Sequence, residues 1–209
     1  MESLVRGGTR WRRFAVVMVP SVAATAAIGV ALAQGALAAS FAVSGSSFKV
    51  GAETLHGDHF VQYGTLDVDH GGVHHPVAVS AFSDATITGL CQSVVIPTPL
   101  GKATLKLTAG NNGKKVHAEN LYIDLDQLDA DATFHTINIG VAAGDTDPAG
   151  PAVEEPVKTA GGAGFAQEAE SADLTGVRQT AWATSAGTFE LSGLSMHVGW
   201  GSGPGVECY

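Results

Sequence analysis

The sequence predicts an all-β protein whose exported part is a single domain, sandwich- or barrel-like. Short apolar or alternating runs recur after residue 40, and Gly, Asn, Asp or Pro separates nearly all of them, as Asn111, Asn112 and Gly113 do. A period of two with a turn signal about every ten residues is typical of strands in such folds. No run after residue 40 has the apolar stripe of a helix over three turns, so helices are not expected there.

The expected strands are short, and the 27 glycines of the chain fit the many tight turns between them. One apolar–hydroxyl–glycine–apolar element occurs at residues 87–90, 174–177 and 191–194. The same corner in successive layers is a sign of a β-solenoid, so this fold is kept as a minor alternative beside chance similarity. The predicted strands are residues 41–48, 77–82, 86–90, 104–108, 121–125, 133–139, 188–191 and 194–198.

The N-terminal residues predict export. Four arginines, the last of them Arg13, precede an uncharged run over residues 14–33, and the small residues of 36–40 follow. A basic start, an apolar centre and a small-residue site are the parts of a signal peptide. We therefore interpret residues 1–39 as a signal peptide and expect a secreted, extracellular protein with no stable membrane span. The alternative is an uncleaved anchor at the outer face of the cell membrane, since about twenty apolar residues can span a bilayer.

Removing residues 1–39 makes the chain more acidic and leaves enough residues for one domain with a core. The leader holds four of the eleven basic residues and one of the twenty acidic ones, so the formal charge changes from −9 to −12. Nucleic acid is not an expected partner, because neutralising phosphates needs clustered Lys and Arg, and an anionic membrane surface is disfavoured for the same reason. Within residues 40–209, a Pro-, Asp- and Gly-rich stretch predicts a flexible loop at about 140–172.

Cys91 and Cys208 are the only cysteines of the chain. In an oxidising compartment, two cysteines most simply form one disulfide. In the chain-entropy treatment, a bridge that closes a loop of this length stabilises the fold by about 4–5 kcal/mol. The alternative, a nucleophilic or metal-binding thiol, has no Cys-x-x-Cys and no neighbouring His in its favour.

A first cluster of metal-ligand residue types contains His70, His74 and His75, which follow Asp67 and Asp69. Imidazole and carboxylate groups bind zinc and other transition metals. The spacing matches no zinc motif, however, and a solvated turn between strands is the other interpretation. Whether this region binds a metal is left open.

A second cluster consists of Asp124, Asp126, Asp129 and Asp131. Carboxylates near one another suit calcium, but an EF-hand loop starting at Asp124 would need Gly sixth and Glu twelfth, where the chain has Asp129 and His135. On a strand, Asp124 and Asp126 would both point outward. This pattern favours an acidic solvent face that discourages edge pairing. Whether this region binds a metal is also left open, and no cofactor is expected.

A serine hydrolase needs a nucleophilic serine on a sharp turn, a histidine base and an orienting carboxylate. The full Gly-x-Ser-x-Gly motif is absent, and the nearest variants centre on Ser185 and Ser195. The candidate base is His197, with Glu190 or Glu207 as the orienting group. A plain β-turn is the alternative explanation of the Ser185 segment.

Residues 179–189, the adjoining 191–194 and the pair Cys208-Tyr209 resemble a family of small exported actinobacterial proteins, as do residues 89–91 and 120–124. Members of that family are of unknown function, and some are labelled cholesterol esterase. The resemblance implies a secreted carboxylic-ester hydrolase of lipid metabolism, with a lipid or sterol ester as partner, and supplies no catalytic residues.

The second functional hypothesis, from a different class, is a non-catalytic exported β scaffold associated with the envelope, which binds lipid or another surface partner. In either case Trp182 and Trp200 line an apolar or carbohydrate-binding groove, or they pack in the core and at its rim. Oligomeric state is not predicted.

Overall fold

The structure is a computed structural model, and it describes Met18 and residues 44–147, 150–154, 157 and 162–209. The chain divides into two compact units, Met1–Leu37 and Ala38–Tyr209, and all the strands of the described residues lie in the second. The predicted leader, residues 1–39, lies outside the described residues except for Met18. Among the described residues, no helix has the length and apolar character needed to cross a membrane.

Strands form most of the described residues of the second unit, which confirms the prediction of an all-β, sandwich-like single domain. Several predicted strands are pieces of much longer ones. In the described residues the strands are β1 (Phe48–Val68), β2 (His74–Thr88), β3 (Leu90–Thr98), β4 (Gly101–Ala109), β5 (Val116–His135), β6 (Asn138–Ala142), β7 (Phe165–Ser185), β8 (Thr188–Leu191) and β9 (Ser195–Trp200), with a short 3-10 helix at Ala143–Asp145.

The four longest strands pair in a closed ring. β1 lies between β2 and β7, and β5 also lies between β2 and β7, all antiparallel. Each of the four therefore has a neighbour on both sides over part of its length. Because the ring is closed, backbone N–H and C=O groups that would be unpaired at the edges of an open sheet have hydrogen-bond partners. We call this ring the body of the domain.

At one end the body opens into a three-stranded sheet. β2 continues past Gly89 into β3, and β4 runs back along β3 before the chain enters β5. β9 pairs with the other side of β4. We call β3, β4 and β9 the open lobe. Two short strands complete the sheet: β8 pairs with the start of β5, and β6 with the start of β7.

The repeated apolar–hydroxyl–glycine–apolar element is a bend in the backbone that the fold uses three times. Gly89, Gly176 and Gly193 have φ angles of +60°, +63° and +72°, a region that glycine enters without steric penalty. A Cβ at Gly89 would lie 2.4 Å from the Glu53 side chain, so any other residue there would force that side chain to move. The strands around these bends pair in a closed order and do not stack in repeated layers. The solenoid alternative is therefore wrong.

The predicted loop at 140–172 is shorter in the structure. β6 extends to Ala142 and β7 begins at Phe165, so residues 165–172 are strand. The inward positions of this part of β7 are alanines, and Ala166 and Ala172 are fully buried. Because alanine gives little apolar contrast, the alternation typical of a strand is weak in the sequence.

The interior of the body holds a narrow core of mainly Ala, Val, Leu and Ile side chains. The ring of Phe82 lies against Gly57, where a Cβ would come within 2.2 Å of it. Phe60 contacts both Phe82 and Phe134, with ring centroids 5.3 and 5.1 Å apart. The four strands enclose a narrow interior. The three phenylalanine rings fit at this level because Gly57 of β1 has no side chain.

Candidate functional site

One face of the open lobe is apolar and exposed; we call it the open face. Residues that pair across adjacent strands share a face of the sheet, so the register of β3, β4 and β9 defines its composition. Leu100, at the turn between β3 and β4, lies at the outer end and is 86% exposed. From the body outward, the face has three rows: Gln92, Leu107 and Met196; Val94, Leu105 and Val198; Ile96, Ala103 and Trp200.

The open face continues the interior of the body. One row further inward, Leu90 pairs with Ala109, and both side chains are buried in the core. Gln92 shares a small internal cavity, about 30 Å³, with core side chains. Met196, Val198 and Trp200, in contrast, are 60%, 65% and 67% exposed. In the described part of the chain, this apolar face is therefore buried within the body and exposed beyond it.

The opposite face of the lobe is covered by residues 201–209, the cover segment. Cys208 and Cys91, the two cysteines predicted to pair, are joined by a disulfide with their Cα atoms 5.8 Å apart. The backbone N–H of Cys208 donates a hydrogen bond to Oγ of Ser93 at 3.1 Å. Ser93 and Thr104 are buried beneath this segment, so the two faces of the lobe differ strongly in exposure.

Lys49 and Glu207 fix the cover segment to β1. Nζ of Lys49 lies 2.8 Å from Oε2 of Glu207 and donates a hydrogen bond to the backbone oxygen of Tyr209 at 2.9 Å. The Lys49 ammonium, together with a hydrogen bond from the Gly203 N–H, holds the pKa of Glu207 below its usual value. Glu207 is thus engaged in holding this segment, which leaves its carboxylate unsuited to orienting a base.

The residues predicted for nucleophilic catalysis lie in two places. Ser185 ends β7, whereas Ser195 and His197 lie on one side of β9, with β8 and the bend at Gly193 between the two places. Among the described residues, no hydrogen bond joins His197 to either serine or to Glu190. The structure therefore brings Ser195 and His197 onto one face and leaves Ser185 apart, and the catalytic assignment stays a prediction.

The turn that holds the predicted histidine cluster is organised by Asp69. Its Oδ1 accepts hydrogen bonds from the N–H groups of Gly71 and Val73 at 2.8 and 2.9 Å, and its Oδ2 lies 3.2 Å from Nε2 of His75. The Val73 N–H and the His75 side chain hold the pKa of Asp69 below its usual value. The ring of His75 stacks on Trp182 with centroids 3.8 Å apart.

The other members of the two predicted metal clusters are dispersed. His70 and His74 are exposed on that turn, and Asp126, Asp129 and Asp131 are exposed along β5. Within the described part of the chain, no group of three or more His, Cys, Asp or Glu side chains is arranged to hold a metal ion.

Three carboxyl groups that no sequence pattern indicated as a group act on one another: Asp67, Asp124 and Glu154. Asp124 was predicted to point to solvent beside Asp126. It does lie on the side of β5 opposite Leu121, Ile123 and Leu125, but it is partly buried there, because the segment that carries Glu154 packs against that side. Burial, then the charges of Asp67 and Glu154, raise its pKa to about 7. Burial and the charge of Asp67 raise the pKa of Glu154 to about 7 as well. Asp67 and Asp124 each have one buried oxygen without a hydrogen-bond partner among the described residues.

Two tyrosines hold the segment that carries Glu154. The Tyr122 hydroxyl donates a hydrogen bond to the backbone oxygen of Ala152 at 3.0 Å, and the Tyr63 hydroxyl accepts one from the Glu154 N–H at 3.2 Å. Val153 is buried with both tyrosines in a second apolar cluster. Burial raises the pKa of Tyr122 to about 12 and that of Tyr63 further. No sequence pattern predicts this contact, because residues 150–154 belong to no strand and therefore show no strand alternation.

A second group that the sequence analysis missed lies on the outer surface of the body. The Asp173 carboxylate binds two imidazoles: Oδ1 lies 2.7 Å from Nδ1 of His56, and Oδ2 lies 3.1 Å from Nε2 of His135. These hydrogen bonds hold the pKa of Asp173 below its usual value. Ser171 lies opposite His135 in the register of β5 and β7. β5 and β7 therefore bring a serine, a histidine and a carboxylate onto one face, and β1 adds the second histidine; only the strand pairing shows this.

The fold and the open face define a disulfide-closed all-β protein with one uncovered apolar sheet face. The chain belongs to a family of unknown function, DUF6230, whose family model matches residues 44–209. No curated protein and no solved structure matches the chain. The cholesterol esterase label that the sequence resemblance implied therefore stays a prediction.

Proposed function

We propose that this protein is a non-catalytic, exported β scaffold that acts by binding a partner through its open face. The observation that carries the proposal is the row of exposed apolar side chains on β9, Met196, Val198 and Trp200, each about two thirds exposed. Leaving apolar surface in water costs about 25 cal/mol per Å². Contiguous apolar surface on an exported domain therefore marks a site of interaction.

The construction of the lobe supports the same proposal. The disulfide, the Lys49–Glu207 ion pair and the buried hydroxyls of Ser93 and Thr104 hold the sheet from behind. The open face is thus preformed, and a partner would not pay for ordering it. A disulfide also fits the oxidising compartments outside the cytoplasm.

The ester hydrolase implied by the resemblance is the second candidate, and one observation favours it. Ser171, His135 and Asp173 share an exposed face, and the carboxylate already orients the imidazole. In such a mechanism Oγ of the serine would attack the ester carbonyl while the imidazole took its proton and passed it to the leaving alcohol. Water would then release the acid by the same route. Ser185 or Ser195 with His197 is the arrangement predicted from the sequence.

Fluorophosphonate labelling separates the two candidates. The purified protein is expected to show no modified serine and no hydrolysis of nitrophenyl or sterol esters, while a known serine esterase in a parallel reaction reports that the probe is active. Labelling of Ser171, Ser185 or Ser195, with turnover that the matching Ser→Ala variant abolishes, would overturn the scaffold proposal.

Binding of an apolar fluorescent dye tests the open face directly. The Trp200→Ser/Val198→Ser variant is expected to bind the dye at least about fivefold more weakly. The control is Phe165→Ser, because Phe165 is also an exposed apolar residue, at 64%, but lies at the start of β7. Equal dye binding by wild type and the double variant would contradict the proposal.

A further inference from the structure

We infer that the partner of the open face is a lipid bilayer, whose interface receives the outer end of the lobe, with Leu100 and Trp200 entering first. The inference rests on the proposed function, because it names the partner of the same face. Four features carry it: the local charge, the polar atoms of the face, its outer end and its continuity with the core.

The charge of the lobe is opposite to that of the chain. Residues 90–109 and 193–206 contain no Asp or Glu, although the chain has twenty acidic residues, and they contain Lys102 and Lys106. Glu207 of the cover segment lies behind the lobe, where it is paired with Lys49. The negative charge of the domain therefore lies outside the lobe strands. The net charge of the chain disfavours an anionic surface as partner. These strands carry no acidic side chains, however, and repulsion from acidic residues elsewhere in the chain is screened beyond about 10 Å at ordinary ionic strength.

The open face has almost no hydrogen-bonding groups. Gln92 lies at its inner end and the Trp200 indole at its outer end, and the side chains of the rows between are apolar. Protein–protein interfaces carry roughly one hydrogen bond per 100–200 Å², which these rows cannot supply from side chains. The hydrocarbon of a bilayer offers no hydrogen-bonding groups and requires none. A lipid surface therefore fits this face better than a second protein or a second copy of the chain.

The outer end of the lobe combines groups that suit the interface of a bilayer. Leu100 is 86% exposed on a turn that Thr98 holds, since its Oγ1 accepts from the Leu100 N–H at 3.3 Å and donates to the Gly101 oxygen at 2.8 Å. Trp200 lies opposite Ala103 at the same end. Indole rings prefer the level of the headgroups, and Lys102, exposed beside the turn, places an ammonium near lipid phosphates.

Continuity with the core gives the face its rigidity. The same strand faces that are buried in the body at Leu90 and Ala109 become exposed in the lobe. A lipid surface would therefore complete a core that the described residues leave uncovered at one end. Residues of this chain that precede β1, or a second copy, are the other occupants that the experiment must distinguish.

Flotation with lipid vesicles tests the inference. The protein is purified from expressing cells, its N-terminus is sequenced, and it is mixed with vesicles of phosphatidylcholine in which phosphatidylglycerol replaces a quarter of the lipid. We expect wild type to float, Trp200→Ser/Val198→Ser to partition at least about tenfold more weakly, and Phe165→Ser to behave as wild type. Absence of wild-type binding overturns the inference, as does equal binding by the double variant, which would place the contact in other residues.

Quenching by lipids with brominated acyl chains locates the contact. Trp200→Phe is expected to lose most of the quenching of tryptophan fluorescence that vesicles produce, whereas Trp182→Phe retains it, because Trp182 stacks on His75 in the body. The reverse pattern would contradict the inference.

The two proposals fail separately. If the vesicles do not bind but the double variant abolishes a dimer seen by sedimentation or loses the apolar dye, the lipid inference is wrong and the scaffold proposal stands. If a fluorophosphonate labels a serine and esters turn over, the scaffold proposal falls whatever the vesicles show.

Discussion

The body and the open lobe belong to one sheet, but the same face of that sheet is buried in the body and exposed in the lobe. In the body the inner face is enclosed by four long strands and is filled by a core in which Leu121 and Val116 are fully buried. In the lobe the same face is exposed at Val198 and Trp200, while the outer face is covered by residues 201–209.

The cause of this difference is the position at which β1 begins. β1 starts at Phe48 and pairs with only the first residues of β3, so the closed ring ends there, and in the described part of the chain no strand faces the rows of β3 and β4 beyond Ser93. The lobe side chains are as apolar as those of the core. Whether an apolar residue belongs to a core or to a surface is therefore decided here by the length of another strand, and local sequence does not encode it.

The largest effect should come from removing the disulfide. Replacing both Cys91 and Cys208 by Ala opens a loop of 117 residues in the sequence and should lower the free energy of unfolding by about 5 kcal/mol. Urea denaturation measures this loss. Hydrogen exchange should accelerate more at β3 and β9 than at β5 and β7, because the lobe depends on its cover. A uniform acceleration across all four strands would show that the lobe and the body are not distinct in stability.

Crowding the body should have the next largest effect. In Gly57→Ala the new Cβ would collide with the Phe82 ring, and we expect a loss of about 3 kcal/mol, the upper end for overpacking. Gly64→Ala is the control, since it lies in the same strand with nothing within 4 Å of an added Cβ. Thermal or urea unfolding of the two variants measures the contrast. Equal stabilities would mean that the body has more free space than the structure shows.

The carboxyl group cluster of the body should make stability depend on pH. Asp124 and Glu154 have pKa values of about 7 in the folded protein, above the ordinary values of an unfolded chain. Their contribution to stability is therefore full below about pH 4 and is lost as the pH rises to about 7 and beyond. Because both groups are partly exposed, we expect the free energy of unfolding to fall by roughly 2 kcal/mol over this range.

Glu154→Gln isolates the contribution of these groups, because an amide does not titrate and the repulsion of Asp124 is removed. Its unfolding free energy should fall less between about pH 4 and pH 8 than that of wild type. Asp69 and Asp173 have lowered pKa values, so their contribution is lost only as the pH falls below about 4, outside this range. Parallel curves for the two proteins would remove the cluster as a cause.

The smallest effect on stability should come from the open face. Val198→Ser should change the free energy of unfolding by no more than about 0.5 kcal/mol, because the side chain is already exposed. Val79→Ser is the matched change in the body, where the valine is fully buried, and it should cost about 3 kcal/mol. Urea unfolding compares them. A large loss in the lobe variant would mean that another part of the protein covers this face in solution.

The fold class and the disulfide could be predicted from local features of the sequence. The all-β class followed from the alternation and the turn residues, and the pairing of Cys91 with Cys208 followed from their number. The closed ring did not follow, because β1 pairs with β7 more than a hundred residues later and no local pattern specifies such a partner. The length of β5 was missed because register shifts interrupt its alternation near Leu125 and Gln127.

The candidate site was predictable to a smaller degree. Residues 194–198 were assigned to a strand with an apolar side, but exposure of that side depends on where β1 starts. Asp124 was noticed for its charge, while its neighbour Glu154 belongs to a segment with no periodic pattern. Ser171, His135 and Asp173 come from two strands whose pairing only the fold reveals.

The disulfide also sets an order of events during synthesis. A chain made from its N-terminus presents Cys91 early, but Cys208 appears only after all nine strands exist. The ring of the body can close as soon as β7 is made, whereas the lobe stays unlocked, with both faces of its sheet accessible, until the cover segment arrives. A chain that folded as it was made would therefore have a finished body before its lobe was locked.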